Sequence, residues 1–241
     1  MSPPSTADSR SVSELLTPSV VVGGVPLHTP DTIELESVLH RTFDGGRLRR
    51  VSTVRLRDLW RARKDPHFRS ILSRLDLGIA AGQSMASWTR LTGQSLPKER
   101  WIGDLADLVL RVAREVDRSV FFLGGEGCAP YDWARRAHYR FPGVRLAGAF
   151  APGPDFRDAE GGRRLLDRIN DSGADVIVAL PTTARGEEFP SRYASRLDAE
   201  LYVNLWSGLS GHWQTPSAWK PRAARESLQI VPASRVVLMR N

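Results

Sequence analysis

Ser119-Val-Phe-Phe-Leu-Gly-Gly125 opens the run of sequence that decides the fold. Ser119 to Leu123 reads as a short apolar strand stopped by Gly124-Gly125. Tyr131 to Arg140 has helical spacing and is broken by Phe141-Pro-Gly143. Val144 to Ala147 reads as a second strand ending at Gly148, Leu165 to Ile169 carry a helix, and Ala174 to Leu180 is a third strand. Strands alternating with helices of this length predict βαβ crossovers and a parallel sheet. Ligands of such sheets bind outside the carboxyl ends of the strands. Those ends are Gly124-Gly125, the loop from Phe150 to Asp155, and Pro181 to Glu188. The expectation is a site for a nucleotide or a phosphorylated small molecule at these three turns.

Working outward, 41% of the 241 residues are hydrophobic and 25% are charged. That suits a single α/β domain, or two closely apposed lobes, with a sizeable core. One cysteine, Cys128, excludes an internal disulfide framework and a cysteine-rich metal site. Cys128 opens a helix, where its thiol is either activated or an inert small residue. Val20 to Pro26 is too short an apolar run to span a bilayer. Met1 to Arg10 lacks the pattern of a secretory signal, so a cytoplasmic location is expected. The net charge of +7 favours anionic partners: nucleoside diphosphates, anionic lipid surfaces or nucleic acid. No helix-turn-helix, RNP-type or zinc pattern accompanies the charge, which ranks nucleic acid last. Arginine far outnumbers lysine (Lys64, Lys98 and Lys220 only), which suggests a GC-rich, actinobacterial source.

The first 18 residues, rich in Ser, Thr and Pro, read as a flexible leader before one domain over 19–241. A boundary near residue 100 would divide it into an N-terminal lobe (19–100) and a nucleotide-binding βαβ lobe (101–241). Val20 to Val22 is a strand closed by Gly23-Gly24. Asp31 is placed to cap a helix whose apolar face is Ile33, Leu35, Val38 and Leu39. Arg50 to Arg55 is a strand, followed by an arginine-rich helix through Arg63, a helix from Phe68 to Leu75 and a strand from Leu75 to Ile79. Met85 to Leu91 reads as helix, and Leu105 to Val116 is amphipathic through Leu105, Leu108, Val109 and Val112. Beyond Leu201 to Val203 the pattern loosens among Trp206, His212, Trp213 and Trp219.

In element order and wording the chain resembles the WecG/TagA/CpsF family of bacterial glycosyltransferases from about Val20 onward. The most specific stretches are Phe121 to Gly125, Phe141 to Val144, Gly148 with Ala151-Pro152, and Ile169 to Asp175. Ser52-Thr53, Asp65-Pro66, Leu75 to Leu77, Gly82 and Pro97 to Gly103 add to it. The resemblance implies a Rossmann-like fold. It also implies inverting, metal-independent transfer of a sugar from a UDP-sugar to a hydroxyl acceptor, often a lipid-diphosphate-linked sugar. No cofactor beyond the donor, and no metal, is expected. The implied partners are donor and acceptor, with peripheral membrane contact and homo-oligomers also compatible. Such transfer needs a base for the acceptor proton and cations or backbone donors for the departing diphosphate.

The chain departs from the family where the work is done. The family's aspartate in an Asp-Gly pair is replaced by Ala81-Gly82, and its Thr-x-Asn by Thr53-Val-Arg55. Its Pro-Lys-Gln-Glu-x-Trp motif reads Ala184-Arg-Gly-Glu-Glu-Phe189. Glu187 is therefore the first candidate for a base or a sugar-hydroxyl ligand, against a solvated carboxylate pair, Glu187 and Glu188, at a helix N-terminus. Asp104 is a spare carboxylate or a helix cap, and His212 sits in a loop rich in sugar-binding groups. For the donor, Gly124 and Gly125 let backbone approach the ligand and Glu126 opens the following helix onto it, with Pro152 and Gly82 at neighbouring turns. Arg185 and Arg55 are cations for a diphosphate or an acidic group, each against an ordinary surface or salt-bridge role. Asp76 reads as structural, and no histidine besides His212 is read as having a partner at metal-ligand spacing. The rival reading is a degenerate relative that binds a ligand or partner as regulator or scaffold, or altered chemistry in the same pocket.

Overall fold

The computed structural model describes residues 20–43, 47–81, 105–125, 127–153, 156, 158–180 and 187–205. The chain begins with an antiparallel hairpin, β1 (Val20–Val22) and β2 (Val25–Leu27), turning at Gly23-Gly24. Helix α1 (Thr32–Thr42) follows, started by a capping box in which Asp31 accepts the Glu34 N–H at 2.9 Å and Glu34 accepts that of Asp31 at 2.8 Å. Leu35, Val38 and Leu39 are buried on its inner face as the spacing predicts, but Ile33 is 78% exposed. At 100° per residue Ile33 lies about 200° from Leu35, so it belongs to the outer face.

Then come β3 (Arg49–Val54), α2 (Leu56–Lys64), α3 (Pro66–Ser73) and β4 (Leu77–Ala80). Asp65 caps α3, accepting the Phe68 N–H at 3.0 Å, with Pro66 in the first helical position. After α4 (Leu105–Glu115) the expected alternation runs β5 (Ser119–Gly124), α5 (Ala129–Arg140), β6 (Arg145–Phe150), α6 (Ala159–Asp171), β7 (Val176–Leu180), α7 (Glu188–Tyr193) and β8 (Leu201–Asn204).

β3 to β8 form one parallel sheet in the order β4-β3-β8-β7-β5-β6. The fold is thus α/β and Rossmann-like, with helices on both faces. β8 pairs with β3 on one side and β7 on the other, so strands from both halves of the chain share this sheet. Alternation along each strand sorts the core into two layers. Val51, Phe122, Val178 and Val203 face α1, α4 and α5, while Phe121, Ile177, Ala179 and Tyr202 face α6 and α7. A third cluster packs α2 and α3 on the hairpin through Leu27, Leu59, Phe68 and Leu72. The chain leaving β2 also lies along β4: His28 donates its N–H to Gly78 at 2.7 Å, and its carbonyl accepts that of Ala80 at 3.0 Å. Among the described residues, no helix is long and apolar enough to cross a membrane.

Candidate functional site

The sheet brings its strand ends to one cleft of about 600 Å³, within the range of small-molecule sites. Leu123, Gly124 and Gly125 enter it from β5, Pro152 and Gly153 from the β6 loop, and Ala179 and Leu180 from β7. The cleft thus lies where the alternating pattern placed a ligand. Gly124 and Gly125 both have positive φ, 94° and 77°. A Cβ on Gly125 would stand 2.9 Å from that of Ala129, so only glycine lets α5 start this close to the strand end. Gly124, Gly125 and Pro152 are the sequence-predicted residues found together at the cleft.

Residues that sequence reasoning did not choose complete the walls. His67 and Arg74 come from α3 and its C-cap, Arg192 from α7, and Tyr202 from β8. Glu188 and Asp158 are the carboxylates lining the cleft among the described residues. Asp158 caps α6 through the Gly161 N–H at 2.6 Å. Glu188 is held by Arg61 at 3.3 Å, and the Arg61 guanidinium lies 3.9 Å from the ring centre of Phe68. In a chain so rich in arginine, nothing local distinguishes Arg74 or Arg192 from the rest.

Glu187 is not a solvated partner of Glu188. It is 2% exposed and is not among the residues that line the cleft. Ser52 and Asn204, paired neighbours on β3 and β8, both donate to its Oε1: the Ser52 hydroxyl in a short bond, and the Asn204 amide at 2.6 Å. Its Oε2 is buried without a hydrogen-bond partner among the described residues. Burial pushes the Glu187 carboxyl above its ordinary range, which the Ser52 and Asn204 hydrogen bonds and the Arg50 charge oppose. Burial, with the Glu187 charge beside it, also pushes the Tyr202 phenol well above its usual value.

Arg55 is taken up locally: its Nε lies 3.1 Å from Asp58, whose carboxylate also accepts the Arg55 N–H at 3.0 Å, and it is not among the cleft residues. Asp76 is tied into the fold, pairing with Arg47 at 2.8 Å and Arg49 at 3.6 Å and accepting the Arg50 N–H at 2.9 Å. Cys128 is exposed at the start of α5. Asp104, His212, Glu126, Arg185 and Gly82 lie outside the described residues, as do Met85 to Leu91 and Trp206, Trp213 and Trp219. The expectation about histidines needs correction. Glu36 and His40, one turn apart on α1, meet Glu115 of α4 with ligand atoms within 4.8 Å of one another. Arg111 already binds Glu36 at 3.2 Å, and the His40 ring lies 3.4 Å from the Glu115 carboxylate, so the trio has partners of its own at the surface.

The model of the Glycosyl transferase WecG/TagA/CpsF family matches residues 20–224. The chain belongs to that family. No curated protein matches it. Membership indicates a glycosyltransferase-like function, and so a nucleotide-sugar donor and an acceptor as partners in general terms. In this member of the WecG/TagA/CpsF family the end of β4 carries Ala81, whose N–H donates to the Val54 carbonyl at 2.9 Å and whose side chain offers no proton acceptor.

Proposed function

We propose that this protein transfers a sugar from a UDP-sugar to a hydroxyl acceptor, with inversion and without a metal ion. The observation that carries this reading is the convergence of three strand ends and the side chains of His67, Arg74 and Arg192 on one cleft. The acceptor oxygen attacks the anomeric carbon as the bond from that carbon to the diphosphate breaks. The diphosphate departs with its charge, which Arg74 and Arg192 and the backbone around Gly124 and Gly125 are placed to receive. The acceptor proton goes to a carboxylate, and Glu188, which lines the cleft where Glu187 does not, is assigned that role. Glu126, Arg185 and Gly82 stay in this proposal as donor ligands, and Asp104 and His212 as catalytic groups, on the strength of the sequence alone. The acceptor is a lipid-linked sugar or a specialised metabolite, met in the cytoplasm or at the inner membrane face.

A rise in melting temperature with UDP, lost in Arg192→Ala, supports the donor assignment; indifference to every nucleotide overturns it. UDP release with a panel of acceptors then tests transfer. Ala81 favours a second reading, a family member that binds the nucleotide without turning it over. Its signature is UDP binding with no UDP release from a UDP-sugar in the presence of any acceptor, in the wild type and in Ala81→Asp alike.

A further inference from the structure

Helix α7 has six residues, Glu188–Tyr193, too few to persist by themselves in water. Yet it supplies Glu188, Phe189 and Arg192 to the cleft wall. The residue that fixes its entry is Glu187. Its carbonyl accepts the Ser191 N–H at 3.3 Å, closing the first turn. Its carboxyl reaches down to the sheet, where Ser52 and Asn204 grip a single oxygen. Ser52 lies 135 residues away in sequence and Asn204 17, so this contact fastens the β7–α7 junction to both β3 and β8. A buried carboxyl with one oxygen that no described residue hydrogen-bonds is a poor way to stabilise a fold. Such a departure is expected where a site dictates the geometry.

We propose that Glu187 is the positioning residue of this site: held at Oε1 by Ser52 and Asn204, it sets the first turn of α7 and so places the adjacent Glu188 carboxylate at the cleft. The proposal rests on reading the cleft as the sugar-transfer site. It assigns Glu187 a mechanical task and leaves the proton to Glu188, which Arg61 steadies from the other side.

The test compares the full-length wild type with Glu187→Gln, which keeps an acceptor oxygen, and Glu187→Leu, which keeps bulk and removes it. Glu187→Gln is expected to retain kcat within about threefold, and Glu187→Leu to lose about 100-fold in kcat with little change in donor KM. Amides of α7 are expected to exchange about tenfold faster in Glu187→Leu than in Glu187→Gln, with the sheet unchanged. If Glu187→Leu does not fold, Ser52→Ala and Asn204→Ala, each removing one grip, take its place with the same expectations. Wild-type kcat and α7 exchange in the Leu or Ala variants overturn the proposal. So does a Glu187→Gln protein that is inactive with α7 exchange unchanged, because the carboxylate would then be reacting. If the wild type turns over no sugar donor, the transfer reading fails, and α7 exchange alone decides positioning, equal rates overturning it.

Discussion

Gly162 of α6 lies against the phenol of Tyr193, and a Cβ built on it would stand 2.6 Å from Tyr193 Oη and 3.1 Å from Cε2. Tyr193 is 7% exposed, and its hydroxyl donates to the Ala159 carbonyl at 3.4 Å, so the ring has little room to retreat. Gly162→Ala is therefore expected to destabilise by about 1–3 kcal/mol through overpacking, against the usual gain from replacing a helical glycine. A thermal melt of Gly162→Ala should fall below wild type and recover in part when Tyr193→Phe is added. A Gly162→Ala protein as stable as wild type would contradict the contact.

Asp76 holds the start of β3 by meeting two arginine side chains and a backbone N–H. Arg49 is 4% exposed, and its burial already lowers its affinity for a proton. Removing the carboxylate takes away the counter-charge that Asp76 sets beside that buried guanidinium, and breaking a buried pair costs about 3–5 kcal/mol. Asp76→Ala should therefore lower the melting temperature by roughly 6–20 °C for a protein of this size. A loss of a degree or two would show that Arg47 and Arg49 find other partners.

The division of labour between the adjacent glutamates gives a kinetic prediction. Glu188→Gln keeps shape at the cleft wall and removes the base, so kcat should drop about 10²–10⁴-fold, with UDP binding preserved. Isothermal titration with UDP and a turnover assay separate the two quantities. Unchanged turnover would remove Glu188 from the mechanism.

Glu187 also predicts a pH dependence whose sign is fixed by its burial. Its carboxyl lies above the ordinary 4.5, so the folded state holds its proton more tightly than the unfolded chain does. That contribution is complete below the unfolded value and is lost as pH rises through the folded one. Glu187→Gln has no such proton to lose. Its melting temperature should therefore gain on that of wild type as pH is raised from about 4.5 towards neutrality. A constant difference across that range would mean that the carboxyl titrates normally.

Much of this fold can be read from single stretches of chain, because strand alternation and helix caps are local. Ser119 to Gly124 and Asp31 announce their elements unaided. Helix α6 was legible only as Leu165 to Ile169. Gly161-Gly162 and the charges of Arg163 and Arg164 mask its first turns, which form because Asp158 caps them and Gly162 lets Tyr193 approach. The site divides the same way. The glycine turn is visible in sequence, and the resemblance singled out Glu187. That Glu187 is buried while Glu188 faces the cleft depends on Ser52 and Asn204, which meet only once β3 and β8 pair. A carboxylate's exposure is a property of the assembled sheet, and no neighbouring residue encodes it.

The place of β8 has a consequence for how this protein is made. Of the six strands, β8 is the last to leave the ribosome, yet it takes the slot between β3 and β7. Until Leu201–Asn204 emerge, β3-β4 and the β5-β6-β7 group have no pairing between them, and each offers an open inner edge. Nascent chains of this kind wait with two exposed strand edges, a state prone to mispairing with other chains. A polypeptide halted before residue 201 lacks the strand through which its two groups pair, and it also lacks Asn204, which holds Glu187 in place.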